Sequence, residues 1–526
     1  MANVKATDLI DFTRASKGHA LAKVSYGSEL VENGTFDSDI SGWTDSLSTS
    51  TWDSDGYISV SYFTSASGPY QSFSTEVGKI YAVSGTLIST TGTGASGPLI
   101  RAGSGSSPNA GIIDSNTLSA GETATISFVA TSTTSYVYLR NASAYTSKWD
   151  NISVKEVTFD QPDGTLQLFE HPEGIPRIEY DADGNLLGLL IEESRTNLLT
   201  YSEDFSQSAW IKTNVNVTAA DYGYKITEDS SNGVHRIYDL LTVSNSTNYS
   251  FSVYVKSAER TKAFIRFGGQ NNVYAVVDLE NGTVVEGSLT PTITEAFDGF
   301  YKISVTHTTI STTFAPNIGP VADNYTVTNG EPRYQGDGTS GIIVYGAQLE
   351  EASFPTSYIK TTGSTATRSA DVASIPVSDF GYNQNEGTFF INITDVISNG
   401  NKDYFSVSSS GSFNPASFGL YGTPNTGSTL GYRRRNSAYD PAITSATDIQ
   451  STGSKVALSH DTSSLVISVD GVATETSSSN SIDTITEIAF GGSGHGVTGD
   501  VHSKHIKSIK YIPKRLSNAK LQELTS

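Results

Sequence analysis

The sequence predicts an all-β protein built of three tandem β-sandwich (jelly-roll) modules, with a short helix at its C-terminal end. Stretches in which apolar and polar residues alternate recur along the chain, for example at 57–63 and 249–257, as expected of strands with one buried face. The turn-prone pair Asp470–Gly471 lies between two β-rich arms, as in a tight hairpin. The 48 glycines among 526 residues and the near absence of long helical periodicity favour the same fold class.

Charge and composition exclude several classes of function. The 33 basic and 54 acidic residues give a net charge of −21, which repels phosphate backbones and anionic lipids, so no nucleic-acid partner is expected. The chain has no cysteine, which excludes disulfide scaffolds, thiolate zinc sites and cysteine nucleophiles. No apolar run approaches the ~20 residues of a membrane-spanning helix, so no membrane insertion is expected. Residues 1–16 also lack the apolar segment of a secretory signal.

A weak internal repeat divides the first two thirds of the chain. Residues 29–43 and 197–210 share a pattern of two apolar residues near the start, then a Phe, and a Trp at the end, and each opens a run of predicted strands. We therefore predict a jelly roll at 29–158 and a second jelly-roll sandwich at 197–366. The two are joined by a connecting β segment at 159–196.

The connecting segment and the last third of the chain complete the predicted organisation. Leu186–Ile191 is too apolar for a loose linker, so packed strands are expected there, with a short buried helix as the alternative. Evenly spaced strand patterns predict a third sandwich at 367–526. Near the end of the chain, Ser517 can cap a short helix while Leu516 and Leu521 form a hydrophobic staple.

Several segments resemble known protein families. Residues 29–158 resemble the carbohydrate-binding jelly rolls of bacterial polysaccharide hydrolases, through NGTF and WDNISV. Residues 380–526 are similar to concanavalin A-like (laminin G-like) lectin domains, through KVALSHDTSSLVISVDGVATE and IKSIKYIPKRLSNAKLQEL. Four further segments resemble bacteriophage virion proteins of the tail-fibre and head-fibre type: DFTRAS (11–16), 174–210, VVDLENGTVVEG (276–287) and VYGAQLEEASFPTSYIKT (344–361).

The resemblance implies a protein of the exposed surface of a phage particle, synthesised in the host cytoplasm. It implies a tail fibre or a head-fibre (decoration) protein that contacts other virion proteins of the capsid or tail and attaches to host-surface polysaccharide. Residues 1–28 are expected to form the virion-attachment segment, although the first jelly roll then resembles an insertion between DFTRAS and GIPRIEYD. A homo-oligomer is expected, with a trimer favoured, because repeated weak lectin modules gain avidity in this way. The alternative function is a purely structural spacer.

Exposed aromatic residues are the first candidates for sugar binding, because a pyranose ring can stack on an aromatic face. Trp52, Tyr57 and Tyr70 occur close together in the early strands of the first sandwich and are assigned to carbohydrate binding. Core packing is the alternative for each of them. Tyr57 and Tyr62 have opposite parity in one strand, so at least one of them is expected to be buried.

A second candidate for carbohydrate binding lies in the lectin-like module, where Tyr432, Arg433 and Arg435 stand close together. Arginine donors beside an aromatic ring suit an acidic polysaccharide. The alternative is that these arginines pair with nearby carboxylates or with a neighbouring subunit. Trp43 and Trp210 occupy matching positions of the repeat and are assigned to packing.

No cofactor is expected to be required, although a structural calcium ion is implied by the resemblance. The resembled jelly rolls often hold calcium partly through an Asp of the last strand, and Asp150 occupies that position. The matching residue of the second sandwich is the neutral Gln348, which argues against a similar site there. One further group has a spacing that matches no metalloenzyme pattern: His495, Asp500, His502 and His505.

Nothing in the sequence predicts a catalytic centre, so we expect that the chain is not an enzyme. It contains no GxSxG elbow, no P-loop and no HExxH motif. A glycosidase needs two carboxylates held several ångströms apart, and adjacent pairs such as Glu192–Glu193 point to opposite faces of a strand. A polysaccharide depolymerase is therefore the least favoured of the three functions.

Overall fold

The computed structural model describes residues 10–397 apart from 63–66, 94–96, 106–112 and the single positions 116, 142, 162, 221 and 272. It then describes short strands between 402 and 444, positions 445, 447, 449 and 450, and the ranges 452–477, 484–490 and 503–526. Side chains at 395–444, 476–477 and 503 are outside the described residues. Contacts divide the chain into two compact units, Ala22–Pro172 on one side and Met1–Leu21 with Glu173–Ser526 on the other.

The predicted all-β class is confirmed. Every long element in the described ranges is a strand, and the helices are the predicted C-terminal one, Asn518–Thr525, and a single 3₁₀ turn at Val377–Asp379. No helix among the described residues is long and apolar enough to cross a lipid bilayer.

The first module packs two antiparallel sheets around a core that includes Phe36 and Trp149. One sheet has seven strands. Five of them follow the order Thr123–Val129, Ile80–Thr93, Ala144–Phe159, Gly18–Tyr26 and Thr165–His171. The remaining two form a branch, in which Tyr57–Tyr62 pairs with Ala144–Phe159 and Ser48–Asp53 pairs with Tyr57–Tyr62. The other sheet has five strands, in the order Thr44–Ser46, Gly68–Ser74, Thr134–Asn141, Pro98–Ser104 and Ile113–Asp114.

The second module repeats this design around a core that includes Phe205 and Trp210. Its seven-stranded sheet runs Ile211–Thr213, Arg236–Tyr238, Thr313–Val321, Lys262–Gly268, Val273–Asp278 and Thr283–Gly287, with Leu241–Thr242 beside Thr313–Val321. Its six-stranded sheet runs Val215–Ala219, Tyr224–Glu228, Gly341–Glu350, Asn248–Ser257, Tyr301–Thr308 and Thr292–Glu295. A small additional sheet contains Asn232–Gly233, Glu331–Gln335 and Thr326–Thr328.

The C-terminal sandwich consists of two seven-stranded sheets. The first runs Asp11–Thr13, Val372–Pro376, Glu487–Phe490, Lys402–Ser408, Ala416–Gly422, Gly431–Arg433 and Ile443–Thr444. The second runs Ile178–Tyr180, Leu186–Ile191, Ser503–Ile512, Gly387–Ile397, Gly453–His460, Ser464–Val469 and Val472–Ser477. Two further sheets have two short strands each: Arg195–Asn197 pairs with Ala366–Arg368, and Arg435–Asn436 pairs with Ala438–Tyr439.

The strands group differently from the expected boundaries of the N-terminal and connecting segments. Within the range expected to be a separate attachment segment, 1–28, Asp11–Thr13 pairs with a strand of the C-terminal sandwich. The connecting segment 159–196 is divided, because Thr165–His171 joins the first module whereas Leu186–Ile191 joins the C-terminal sandwich. Leu186–Ile191 is a packed strand, as predicted. An apolar run predicts burial, but the partner strand is chosen by contacts that are distant in sequence.

The C-terminal helix forms as the capping pattern predicts. The Oγ of Ser517 accepts a hydrogen bond from the backbone N of Lys520 at 3.4 Å. Leu516 and Leu521 pack in one apolar cluster with Ala457 and Val466 of the adjacent sheet. The helix therefore covers the outer face of that sheet.

The Trp residues of the repeat serve packing, as assigned. Trp210 is fully buried against Phe205 at a centroid distance of 4.9 Å, and Trp43 is half-buried against Phe36 at 5.5 Å. Each indole Nε1 donates to a backbone carbonyl about ten residues earlier, that of Tyr201 for Trp210 and that of Asn33 for Trp43. The shared contacts support the duplication that the sequence indicates.

The GAQLEE motif holds a following segment on the outer face of the six-stranded sheet. The amide of Gln348 donates from Nε2 to the carbonyl of Ser357 at 3.2 Å and accepts at Oε1 from the backbone N of Ile359 at 2.6 Å. The carboxylate of Glu350 accepts from the backbone N and the hydroxyl of Thr356, at 2.9 and 2.5 Å. Both side chains are fully buried, so their hydrogen bonds fix this segment on the sheet.

Candidate functional site

Trp52 and Tyr57 lie on one hairpin of the first module but project from opposite faces. Trp52 is directly opposite the buried Ile58, and its Nε1 donates to the carbonyl of Phe36 at 2.7 Å. Tyr57 pairs with Asp53 on the other face. Trp52 is 40% exposed and Tyr57 is half-buried, so the two rings do not form one sugar platform.

The expectation that Tyr57 or Tyr62 is buried is wrong. Both are half-buried, while the inward positions of their strand belong to Ile58 and Val60. Tyr62 has the inward parity but is the last residue of the strand and is only half-buried.

Tyr70 lies on the other sheet of the module, on the face turned away from the core. Antiparallel pairing places five residues in one row across this five-stranded sheet, in the order Thr44, Tyr70, Tyr138, Arg101 and Asp114. The alternate residues Phe73, Val137 and Ala102 belong to the core, which fixes the row on the outer face.

Two further residues of the strand Thr134–Asn141 complete this surface. Tyr136 and Arg140 have the same parity as Tyr138 and so share its face. The rings of Tyr70 and Tyr136 lie 6.0 Å apart, and both are half-buried. Tyr138 between the strands of this row is fully buried, so it supports the surface without being exposed on it. We call the set the first-module cluster: Tyr70, Arg101, Asp114, Tyr136, Tyr138 and Arg140.

The charges of the first-module cluster are unevenly paired. Arg101 forms a bidentate ion pair with Asp114, at 2.5 and 2.6 Å, and this hydrogen bonding raises the pKa of Arg101. Arg140 reaches the same carboxylate only at 4.0 Å, and its Nε is buried without a hydrogen-bond partner among the described residues. Two guanidinium groups therefore share one carboxylate beside two tyrosine rings.

Sequence reasoning identified Tyr70 but missed the rest of this cluster. The signal was present in the strand at 135–140, where Tyr136, Tyr138 and Arg140 alternate with apolar residues. Their neighbours Arg101 and Asp114 come from two other strands, and only the register of the sheet brings them together.

The candidates of the lectin-like module lie outside the described side chains. Tyr432 and Arg433 fall in the strand Gly431–Arg433, and Arg435 falls in Arg435–Asn436. Their assignment remains a prediction. Of the histidine group, His495, Asp500 and His502 are outside the described residues, while His505 contacts Glu179 at 2.6 Å.

Asp150 lies at a bulge of the strand Ala144–Phe159, where Asn151 adopts a left-handed φ of 54°. Its carboxylate accepts from the backbone N and the amide Nδ2 of Asn151, at 2.7 and 3.1 Å. Burial raises the pKa of Asp150, the hydrogen bond from Asn151 opposes this, and the nearby carboxylate of Asp37 adds to the rise. Two close carboxylates suit a cation in charge, but the described residues contain no group of three His, Cys, Asp or Glu side chains placed to hold a metal.

Comparisons with known proteins give structural likeness only. No family model and no curated protein sequence matches the chain. A carbohydrate-binding module (CBM40) of the Ruminococcus gnavus IT-sialidase, bound to α2,3-sialyllactose, is 19% identical over 27% of this chain and 83% of its own length, with a TM-score of 0.24. The CBM22-1–CBM22-2 tandem of Paenibacillus barcinonensis Xyn10C is 11% identical over 62% of this chain and 99% of its own, with a TM-score of 0.20.

One comparison corrects the expectation that the chain is not an enzyme. Trypanosoma rangeli sialidase is 13% identical over 95% of this chain and 97% of its own length, with a TM-score of 0.23. Because an enzyme is among the similar structures, the expectation is withdrawn. At these TM-scores the likeness transfers neither an activity nor a ligand to this chain.

Proposed function

We propose that the first module binds a carboxylate-bearing glycan, one containing sialic or uronic acid, through the first-module cluster. The observation that carries the proposal is the pair of half-buried rings of Tyr70 and Tyr136, 6.0 Å apart, on the face of the five-stranded sheet that also carries Arg101 and Arg140. A half-buried tyrosine offers an apolar surface for a sugar ring, and an adjacent guanidinium offers paired donors for a carboxylate.

Arg140 is the group proposed to receive the carboxylate of the sugar. Arg101 already uses two donors on Asp114, whereas the described residues give Arg140 one ion pair at 4.0 Å. The Nε of Arg140 is buried without a hydrogen-bond partner among the described residues, so an acceptor on the ligand would add a charge-assisted hydrogen bond there, about 1.5–3 kcal/mol. The local arginine pair also offsets the repulsion that the net charge of −21 exerts on an acidic glycan.

The proposed biological setting is the surface of a phage particle. The resemblance of DFTRAS and the GAQLEE segment to tail-fibre and head-fibre proteins supports it, as do the repeated sandwich modules. A homo-oligomer of such a chain, with a trimer favoured, would multiply weak sugar contacts into firm attachment to host polysaccharide. Labelling of phage particles with an antibody against the chain, viewed by electron microscopy, tests the location.

Sugar binding is tested by calorimetric titration of the full-length chain with 3′-sialyllactose, a hyaluronan tetrasaccharide and the neutral lactose. Binding of at least one acidic probe and not of lactose is expected. Arg140→Ala should lower the affinity about tenfold or more, and Tyr70→Ala about three- to tenfold.

Two matched variants serve as controls. Lys148→Ala and Tyr57→Ala remove a cation and an aromatic ring from the other sheet of the same module, where Lys148 pairs with Asp53 at 2.6 Å. Both should bind as the wild type does. No binding of either acidic probe by the folded chain would overturn the proposal and favour the spacer function. Loss of binding in Tyr57→Ala but not in Tyr70→Ala would move the site to the hairpin.

A further inference from the structure

The second module carries a row of residues in the same register as the row that contains Tyr70. In each module a short strand begins directly after the repeated Trp, at Thr44 and at Ile211. Antiparallel pairing from Ile211 crosses the seven-stranded sheet of the second module through Tyr238, Asn317, Arg266 and Tyr274 in turn.

Counting from the repeated Trp makes the two rows comparable position by position. Tyr238 occupies the place of Tyr70, because each pairs directly with the first residue of the edge strand that follows the Trp. Arg266 occupies the place of Arg101, two strands further on. The apolar residues Ile237, Ile265 and Ile318 alternate with this row and belong to the core, so the row faces outward.

The charges also recur, although they come from different strands. Arg236 and Arg266 share the carboxylate of Glu331, at 2.5 and 3.6 Å, as Arg140 and Arg101 share Asp114. The guanidinium of Arg236 lies 5.0 Å from the centroid of the Tyr238 ring. We call this set the second-module cluster: Arg236, Tyr238, Arg266, Tyr274, Asn317 and Glu331.

The second-module cluster contains buried polar atoms that have no hydrogen-bond partner among the described residues. They include the Oδ1 of Asn317, a residue that is 1% exposed, and the Nε of Arg236. The Nδ2 of Asn317 donates to the carbonyl of Ala315 at 2.6 Å, which fixes the orientation of the amide. Buried polar groups without partners are unfavourable, so an unpaired acceptor and an unpaired donor in one cluster favour a polar ligand.

We propose that the second-module cluster is a second binding site for the same class of carboxylate-bearing sugar. The ring of Tyr238 would take the sugar face, Arg236 and Arg266 its carboxylate, and Asn317 a hydroxyl. The inference rests on the proposed function of the first module. It predicts two sites per chain. Aligning the sequences of the two modules does not reveal the second site, because Arg140 and Arg236 lie on strands that do not correspond.

Calorimetric stoichiometry of the full-length chain tests the proposal, with 3′-sialyllactose and a hyaluronan tetrasaccharide as probes. The wild type should bind two molecules of a probe per chain, and Arg236→Ala and Arg140→Ala one each. The double variant should bind none. Lys225→Ala, on the other sheet of the second module, is the matched control and should bind two. Thermal unfolding of each variant confirms that it is folded, and Tyr238→Ala, which leaves the ion pairs intact, provides a second test.

The outcomes separate the two proposals. One molecule bound by the wild type, unchanged by Arg236→Ala and Tyr238→Ala and abolished by Arg140→Ala, would overturn the second site and leave the first. One molecule bound and lost only in the second-module variants would overturn the first site. No binding of either probe to the folded wild type would overturn both.

Discussion

Arg177 and Asp371 form a fully buried ion pair, with Nη2 and Oδ2 at 2.5 Å, although they are 194 residues apart in the sequence. Arg14 contacts the same carboxylate at 3.2 Å, and Glu192 reaches Arg177 at 2.8 Å and Arg368 at 3.5 Å. The side chains are at most 3% exposed. The cluster therefore joins DFTRAS, GIPRIEYD and the 360–374 stretch through Arg14, Arg177 and Asp371.

Asp371→Asn should be strongly destabilising. It would leave buried guanidinium groups without a compensating charge, which typically costs about 3–5 kcal/mol. Urea denaturation followed by tryptophan fluorescence measures the change, because Trp210 lies in the same compact unit. Asp379→Asn, at an exposed position, is the control and should change the free energy of unfolding little. Equal stability of the two variants would contradict the importance of the buried cluster.

Acid should weaken the same cluster through Glu192. Burial alone would raise the pKa of Glu192, but Arg368, Arg177 and hydrogen bonds from Ser357 together hold it well below its usual range. The folded-state pKa is thus lower than the unfolded value of 4.5, so the stabilisation is present above about pH 4.5 and is lost as the pH falls below it.

Unfolding in urea at a series of pH values between 6 and 3 measures this loss. Glu192→Gln should give a protein that is less stable at pH 6 and whose stability falls less steeply below pH 4.5. Glu173→Gln, at an exposed position, should keep the wild-type slope. A slope in Glu192→Gln as steep as in the wild type would assign the acid sensitivity to other groups.

Removal of Gln348 should release the segment that its amide holds. Gln348→Ala deletes the hydrogen bonds to the backbone of Ser357 and Ile359 and leaves those buried groups unpaired, at about 1–3 kcal/mol each. Limited proteolysis should then cut faster near residues 352–360 than in the wild type. Gln335→Ala, in the same module at a site exposed to solvent, should leave the cleavage pattern unchanged.

A calcium ion at Asp150 would be revealed by a dependence of stability on the metal. If the prediction is correct, EDTA lowers the unfolding temperature of the wild type, and added Ca²⁺ but not Mg²⁺ restores it. Asp150→Asn should remove this response, because the carboxylate that faces Asp37 is lost. Asp55→Asn, an exposed acidic residue of the same module, is the control. A wild type that is indifferent to EDTA and Ca²⁺ would exclude the site.

The sequence by itself determined the fold class, the paired Trp positions and the C-terminal helix. These features follow from local rules: a strand with one buried face must alternate, and a capped amphipathic turn is encoded within ten residues. The apolar run at Leu186–Ile191 was recognisable as a strand for the same reason. Tyr70 is half-buried on the outer face of its sheet, and its assignment to carbohydrate binding stays a prediction.

Only the tertiary structure decided which residues meet. Arg101 and Asp114 lie in the row of Tyr70 because of the register between neighbouring strands. Trp52 and Tyr57 lie on opposite faces of their hairpin because they belong to adjacent cross-strand pairs, and adjacent pairs point to opposite faces. Leu189 packs in the C-terminal sandwich rather than in a separate connecting segment. The physical reason is common to all three: the free energy of a sheet comes from contacts between distant strands, and no local pattern records the partner.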